Sequence, residues 1–451
     1  MSAGGVGFLF DLNRCTGCNA CELACSIENE LGWGRSWRQV QTFNAARHPG
    51  VPSFHLSTAC NHCAAAPCVP QCPALAIRRD AATDAVLIEA AKCIGCHYCS
   101  WVCPYDAPRF DAEAGVMGKC TFCNHRLAAG SEPACVEQCP TTALRFGPLQ
   151  GEPLVPGFPD TAAQPALRFA PLRHALRPPE SSWSLPEDVL AAFAAARPET
   201  RAPISLASEW PLLIFTLVAA GLVGWQSASS ASGVPLHAGS FAGALGVALG
   251  TSLLHLGRKS RAWRALLNVR RSWLSREVAA FAGFAAVAGT QLWLAASWSR
   301  VTASLLGFAF LFCADRVYDP VRSGWRLHSA DTLLTALLIA SLLLGWGGAA
   351  FAVGGVKLAL YAQRLLAGSR QSARAGTLVV AILRIGVGLA LPALLALLRS
   401  DMPTVWLLLL VAVGETTDRI QFYQGLVVTT PRRELAELEE RSIAQMTGGN
   451  A

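Results

Sequence analysis

The stretch Lys92-Cys93-Ile94-Gly95-Cys96-His97-Tyr98-Cys99-Ser100-Trp101-Val102-Cys103-Pro104 decides how the first third of this chain folds. Its cysteines fall as Cys93-x2-Cys96-x2-Cys99-x3-Cys103. Three thiolates on one tight loop reach three corners of an iron–sulfur cube, while a fourth, on the helix that follows, points away to a second cube. Three further runs surround this one. The first is Cys15-x2-Cys18-x2-Cys21-x3-Cys25. The second is Cys60-x2-Cys63-x4-Cys68-x3-Cys72-Pro73, and the fourth is Cys120-x2-Cys123-x11-Cys135-x3-Cys139-Pro140. Together they hold all but one of the 17 cysteines. Such clustering excludes an ordinary enzyme with scattered thiols. Cys313 stands alone and reads as a small buried apolar residue.

The runs repeat in pairs. Phe8-Leu9-Phe10 leads to Cys15 with Gly17 in the loop; Val86-Leu87-Ile88 leads to Cys93 with Gly95 in the same register. Both triplets read as short strands. Cys72-Pro73-Ala74-Leu75-Ala76-Ile77 resembles Cys139-Pro140-Thr141-Thr142-Ala143-Leu144. The pattern predicts an α+β fold of two ferredoxin-like modules, one within the other. Zinc also uses Cys-x2-Cys pairs, but it joins separate doublets, not three cysteines at two-residue gaps. A disulfide framework calls for an oxidising compartment. Pairing run one with four and two with three gives four expected ligand sets. These are Cys15, Cys18, Cys21 and Cys139; Cys120, Cys123, Cys135 and Cys25; Cys93, Cys96, Cys99 and Cys72; and Cys60, Cys63, Cys68 and Cys103. The half offers no nucleophile–base set, so conduction of electrons is the expected task.

The 451 residues are 52% hydrophobic and only 15% charged, with net charge +7. That excludes a disordered chain, gives no case for nucleic acid, and points to a membrane. Four parts are expected: a cluster domain over 1–147, a linker over 148–208, a membrane anchor over 209–424 and a charged tail over 425–451. Eleven of the 26 prolines fall between 148 and 203, which reads as an extended strap with one short helical piece over 186–193. A solvated helix is expected over 432–445. Residues 1–14 lack the features of a secretory leader. The cysteine half is therefore expected to stay in the cytosol or to be carried across by a partner.

Eight apolar spans are expected, near 210–225, 238–256, 278–298, 301–314, 332–345, 349–363, 377–398 and 402–422. Residues 332–363 as one helix would measure about 48 Å, too long for one crossing, and Gly345-Trp346-Gly347-Gly348 offers a turn. Loops after spans two, four and six carry thirteen Lys and Arg. Those after spans one, three, five and seven carry two, Arg300 and Arg399. This asymmetry puts both termini and the cluster half on the cytoplasmic side of a bacterial inner membrane.

Ionisable residues in such spans face the bundle interior. They are His255, Glu277, Lys357, Arg384 and Glu415. Lys357 and Arg384 read equally as snorkelling or paired groups, and Glu415 with Arg419 equally as an ion pair or a site. His255 ends span two and Glu277 opens span three. His, with an ordinary pKa of about 6.5, is suited to exchange a proton near neutrality.

Residues 1 to about 180 resemble the electron-transfer subunit of the molybdopterin oxidoreductase family, above all that of dimethyl sulfoxide reductases. Cys96 fills the position that is Trp in the nitrate reductase branch, so the resemblance implies four 4Fe–4S clusters. His255-Leu256-Gly257 through Ser272-Trp273-Leu274-Ser275-Arg276-Glu277 resembles the signature of the membrane anchor subunit of the same family, as do Gly414-Glu415, Asp418-Arg419 and Phe422-Tyr423. Arg258-Lys259-Ser260 stand where that family usually has a proline. The resemblance implies that His255 and Glu277, with Glu415, belong to a menaquinol site. It implies a molybdopterin catalytic partner, the quinone pool and the bilayer as partners, and menaquinol oxidation in anaerobic respiration. Two rival readings are reverse flow from a donor such as formate or a sulfur compound to quinone, and a membrane-tethered ferredoxin without quinone chemistry.

Overall fold

A computed structural model describes residues 5–32, 34–45, 53–149, 162–170, 206–294, 297–320, 327–368, 380–398 and 403–426. The short helix expected over 186–193 and the charged helix over 432–445 lie outside them. The described residues form two compact units, one carrying the cysteine runs and one helical.

In the cysteine unit, strand β1 (Val6–Phe10) is central in a three-stranded sheet. It runs antiparallel to β8 (Leu144–Pro148), with Phe10 opposite Leu144, and parallel to β9 (Leu167–Phe169). Within this frame β4 (Ile77–Arg79) pairs antiparallel with β5 (Val86–Ile88), Ile77 opposite Ile88. The two pairings are equivalent. Phe10 and Ile88 each precede the first cysteine of a run by five residues, and Leu144 and Ile77 each follow the last cysteine of another by five. The first strand thus closes on the strand after run four, and the inner pair closes runs two and three. Two more hairpins complete the unit: β2 (Gln39–Phe43) with β3 (Phe54–Thr58), and β6 (Arg109–Asp111) with β7 (Val116–Gly118). Phe8, Phe10, Phe122, Leu144, Leu167 and Phe169 fill the core.

The backbone repeats as the sequence does. Gly17 and Gly95 take φ +68° and +67°, and Asn19 and His97 take 60° and 59°. Leu75 and Thr142, three residues beyond Cys72 and Cys139, take 51° and 50°. These left-handed residues turn the loops so that short helices can start behind them: α1 (Ala20–Glu28) after Asn19, α3 (Tyr98–Trp101) after His97. Gly17 is also needed sterically, because a Cβ there would lie 2.5 Å from His55 Nδ1. Helices α2 (Cys68–Gln71), α4 (Asn124–Ala128) and α5 (Ala134–Glu137) carry the remaining ligand segments. The Pro-rich stretch is not wholly a strap. Residues 162–170 are docked, with Ala166, Leu167 and Phe169 buried and β9 hydrogen-bonded to β1.

The second unit is helical. It comprises α6 (Leu206–Ser232), α7 (Ala238–Leu254), α8 (Trp273–Leu294), α9 (Ser297–Arg316), α10 (Thr332–Leu343), α11 (Gly347–Gly368), α12 (Val380–Leu397) and α13 (Thr404–Gly425). A 3-10 segment, Lys259–Leu266, follows α7 at a bend of 100°. Gly345 at φ +68° makes the sharp turn between α10 and α11. One apolar core joins α6 to α9 through Phe215, Phe241, Phe284 and Phe310; a second joins α10 to α13 through Leu338, Ala350, Leu389 and Val411. Helix α12 is π-helical over Leu383–Ala390, where Gly388 meets Gly414 of α13 backbone to backbone.

By length and apolarity alone, Glu209–Ser232 and Val380–Leu397 are each sufficient to cross a bilayer, and α7 with the 3-10 segment qualifies as a bent pair. The other helices fall short of that measure among the described residues. Helix α10 has only 12 residues, and α8, α11 and α13 carry the charges Arg276, Glu277, Lys357, Arg364, Glu415, Asp418 and Arg419.

Candidate functional site

Cys15, Cys18 and Cys21 of the first run and Cys139 of the fourth line one small pocket, walled by Phe10, Val40 and Leu144. The register of β1 on β8 brings Cys139 there: Phe10 leads into run one, Leu144 leads out of run four, and the two are paired. Cys25, on α1, lies with Cys120, Cys123 and Cys135. Cys103 lies with Cys60, Cys63 and Cys68, and Cys72 neighbours Cys93. Each gathering unites residues from two runs. Among the described residues no three His, Cys, Asp or Glu side chains converge as a single ion would need, and the donor set gathered around Cys15 is four thiols, the chemistry that iron–sulfur clusters take.

The thiols are adapted to such a group. All are free of disulfides, and most are buried. Burial pushes the Cys103 thiol up to about 12 and those of Cys68 and Cys135 to about 11. Burial thus favours the neutral form of these three bare thiols, and bonds to a metal centre are what would make them thiolates. Backbone N–H groups already point at sulfur: Met117 N donates to Cys93 Sγ at 3.4 Å and Ala76 N to Cys72 Sγ at 3.3 Å. Hydrogen bonds of this kind tune iron–sulfur potentials.

Sequence reasoning passed over three buried polar residues among these thiols. Arg38, Lys119 and His62 are 2%, 3% and 1% exposed. His62 Nδ1 accepts from Val86 N at 2.9 Å. Burial, reinforced by the charges of Lys119, Arg79 and Arg38, holds its pKa well below the ordinary range, so it stays neutral. Nothing in local spacing flags these residues, because their neighbours come from distant runs.

In the helical unit the predicted residues stand on different elements. His255 is the half-buried C-terminal cap of α7. Glu277, 8% exposed, lies in the first turn of α8, beyond the 3-10 segment. Its carboxyl is in electrostatic range of Asp315 and of the Tyr318–Tyr423 pair, whose hydroxyls are 2.7 Å apart. Asp315 Oδ1 accepts from Thr332 N at 2.8 Å, anchoring the start of α10.

Glu415 sits in a different place, a buried ion network. Its Oε1 takes Arg384 Nη1 at 2.9 Å; its Oε2 takes Thr335 Oγ1 at 2.7 Å and Lys357 Nζ at 3.2 Å. Arg384 Nη2 reaches Asp418 Oδ2 at 2.9 Å, and Arg364 Nη2 reaches Asp418 Oδ1 at 3.0 Å. Glu415 is thus paired across helices and not with Arg419, one of the two readings its sequence allowed, and Arg419 instead faces Tyr423, Asp315 and Tyr318. Asp418 was missed as a hub. Arg364, counted from the sequence as a loop charge, belongs to the network. Cys313 is half-buried on α9.

Comparison with known proteins gives two family matches. The 4Fe-4S dicluster domain family matches residues 51–149, and the DMSO reductase anchor subunit (DmsC) family matches residues 237–367. One chain of the anaerobic dimethyl sulfoxide reductase of Haemophilus influenzae is 40% identical over 152 residues, 32% of this sequence and 74% of that protein. Its namesake in Escherichia coli K12 is 40% identical over 151 residues, 32% of this sequence and 73% of that protein. A sulfite dehydrogenase subunit of Allochromatium vinosum is 37% identical over 163 residues, 32% of this sequence and 68% of that protein. The protein therefore belongs to the iron–sulfur electron-transfer subunits of the dimethyl sulfoxide reductase family, with the anchor subunit's domain following in the same polypeptide.

Proposed function

We propose that this chain oxidises menaquinol in its anchor domain and delivers the electrons to a separate molybdopterin catalytic subunit of dimethyl sulfoxide reductase type. The observation that carries the reading is the cavity where Cys139, from the last run, joins Cys15, Cys18 and Cys21. Those four would hold one 4Fe–4S cluster; Cys25, Cys120, Cys123 and Cys135 a second; Cys72, Cys93, Cys96 and Cys99 a third; and Cys60, Cys63, Cys68 and Cys103 a fourth. When bound, such clusters supply one-electron storage and transfer.

In the anchor, eight crossings with the positive loops inside put the cysteine domain at the cytoplasmic face. His255 and Glu277 receive the two protons of the quinol, and Asp315 and the two tyrosines line the route beyond Glu277. The paired Lys357, Arg384, Glu415 and Asp418 hold the second helix group together. Serine substitution tests the assignment. Cys139→Ser and Cys15→Ser should abolish the same cluster signal in electron paramagnetic resonance; loss of two different signals rejects the pairing.

Reverse flow is a second reading, favoured by the likeness to a subunit named for sulfite dehydrogenase. Cluster potentials discriminate: values well below that of the quinone couple favour electrons moving toward quinone.

A further inference from the structure

Two cations are sealed inside the cysteine unit, and each faces sulfur from two of the four sets. Arg38 lies 4.3 Å over the Phe8 ring, and its Nη1 donates to Ser57 Oγ at 3.2 Å. Its Nε and Nη2 are buried without an oxygen or nitrogen partner. The charge faces Cys21, of the first set, and Cys135, Cys120 and Cys25, of the second. Lys119 donates from Nζ to the carbonyls of Val86 and Cys120. Its charge faces Cys60 and Cys68 of one set and Cys120 of another.

Among the described residues no carboxylate pairs with either cation. A buried charge without a counter-ion is strongly destabilising. What balances Arg38 and Lys119 must be the sulfur-rich groups they face. A cluster gains one negative charge when it takes up one electron, so a fixed cation beside it favours the reduced form.

We propose that Arg38 and Lys119 are the electrostatic junctions of the electron path, each raising the reduction potential of both clusters it faces. Arg38 joins the cluster of Cys15 to that of Cys25; Lys119 joins the cluster of Cys25 to that of Cys60. This rests on the reading that the sixteen cysteines of the four runs hold four clusters.

The test is a dithionite redox titration of the full chain in membranes, each signal followed by electron paramagnetic resonance. Lys119→Met should make reduction of the Cys25 and Cys60 clusters about tenfold less favourable, a shift of ~59 mV for one electron. The Cys72 cluster should not move, and Lys119→Arg should restore the wild-type values. Arg38→Met should shift the Cys15 and Cys25 clusters alike, with Arg38→Lys restoring them. Unchanged potentials in variants with full iron content overturn the proposal, as do charge-keeping variants that shift as far as the Met variants. Should the Met variants fail to assemble, pulsed resonance on wild-type protein labelled with 15N-lysine decides. A lysine nitrogen coupled to a reduced cluster supports the junction at Lys119, and its absence overturns it. Wild-type protein short of four cubes of iron and acid-labile sulfide instead sinks the cluster assignment itself.

Discussion

His62 and Phe122 stack on one another with ring centroids 3.5 Å apart and planes inclined by 23°. They occupy the same place in runs two and four, each just before the second cysteine, and both take left-handed backbone at φ 40° and 61°. The internal repeat of the sequence therefore meets itself at this contact. Phe122 also touches Phe8 and Phe146, each at 5.1 Å.

Phe122→Ala removes that keystone from a site 1% exposed. Emptying a core aromatic site costs about 3–5 kcal/mol. Denaturant unfolding, followed by loss of cluster absorbance, should move to markedly lower denaturant. A midpoint equal to wild type contradicts the role.

Gly414→Ala should fail for the opposite reason. A Cβ there would sit 2.3 Å from Gly388 Cα, with the backbones of α12 and α13 in contact. Overpacking of this kind costs about 1–3 kcal/mol. Detergent-solubilised protein should lose helicity at lower temperature than wild type, whereas Gly425→Ala, with open space around its Cβ, should show no such loss.

Arg384 binds Glu415 and Asp418 at once. Arg384→Met strands two buried carboxylates, and breaking a buried pair costs about 3–5 kcal/mol. Asp418→Asn in the same polypeptide should recover part of that loss. A double variant no more stable than Arg384→Met alone would show that the two groups are not coupled.

Much of the cysteine unit was legible from its sequence, because cluster ligation fixes spacing within a few residues. The strand triplets before Cys15 and Cys93, and the left-handed turns at Gly17 and Gly95, follow from that local constraint. The helical unit was legible as apolar segments broken at turns such as Gly345. What escaped depends on tertiary contact. Arg38 and Lys119 look like surface charges until distant runs fold around them. Glu415 lies four residues from Arg419, so a local pair was one of two equal readings, yet Arg384 and Lys357 reach it from α12 and α11. Likewise, proline density could not reveal that Leu167–Phe169 would find an open edge beside β1.

His255→Ala and Glu277→Gln should leave iron content and dithionite reduction intact while slowing reduction by quinol. General acid–base groups contribute about a hundredfold or more, so a loss of that size in quinol-driven rate is expected for Glu277→Gln. Anaerobic stopped-flow absorbance with a reduced menaquinone analogue measures it. A rate within about twofold of wild type for both variants removes them from the quinol site.

The most direct measurement takes the wild-type protein, purified anaerobically in membranes. Iron and acid-labile sulfide are assayed, and resonance spectra are recorded before and after a reduced menaquinone analogue is added. The account predicts four 4Fe–4S clusters, at least one of which accepts electrons from the quinol. Folded protein without iron and sulfide would contradict it, and so would clusters that dithionite reduces but quinol never does.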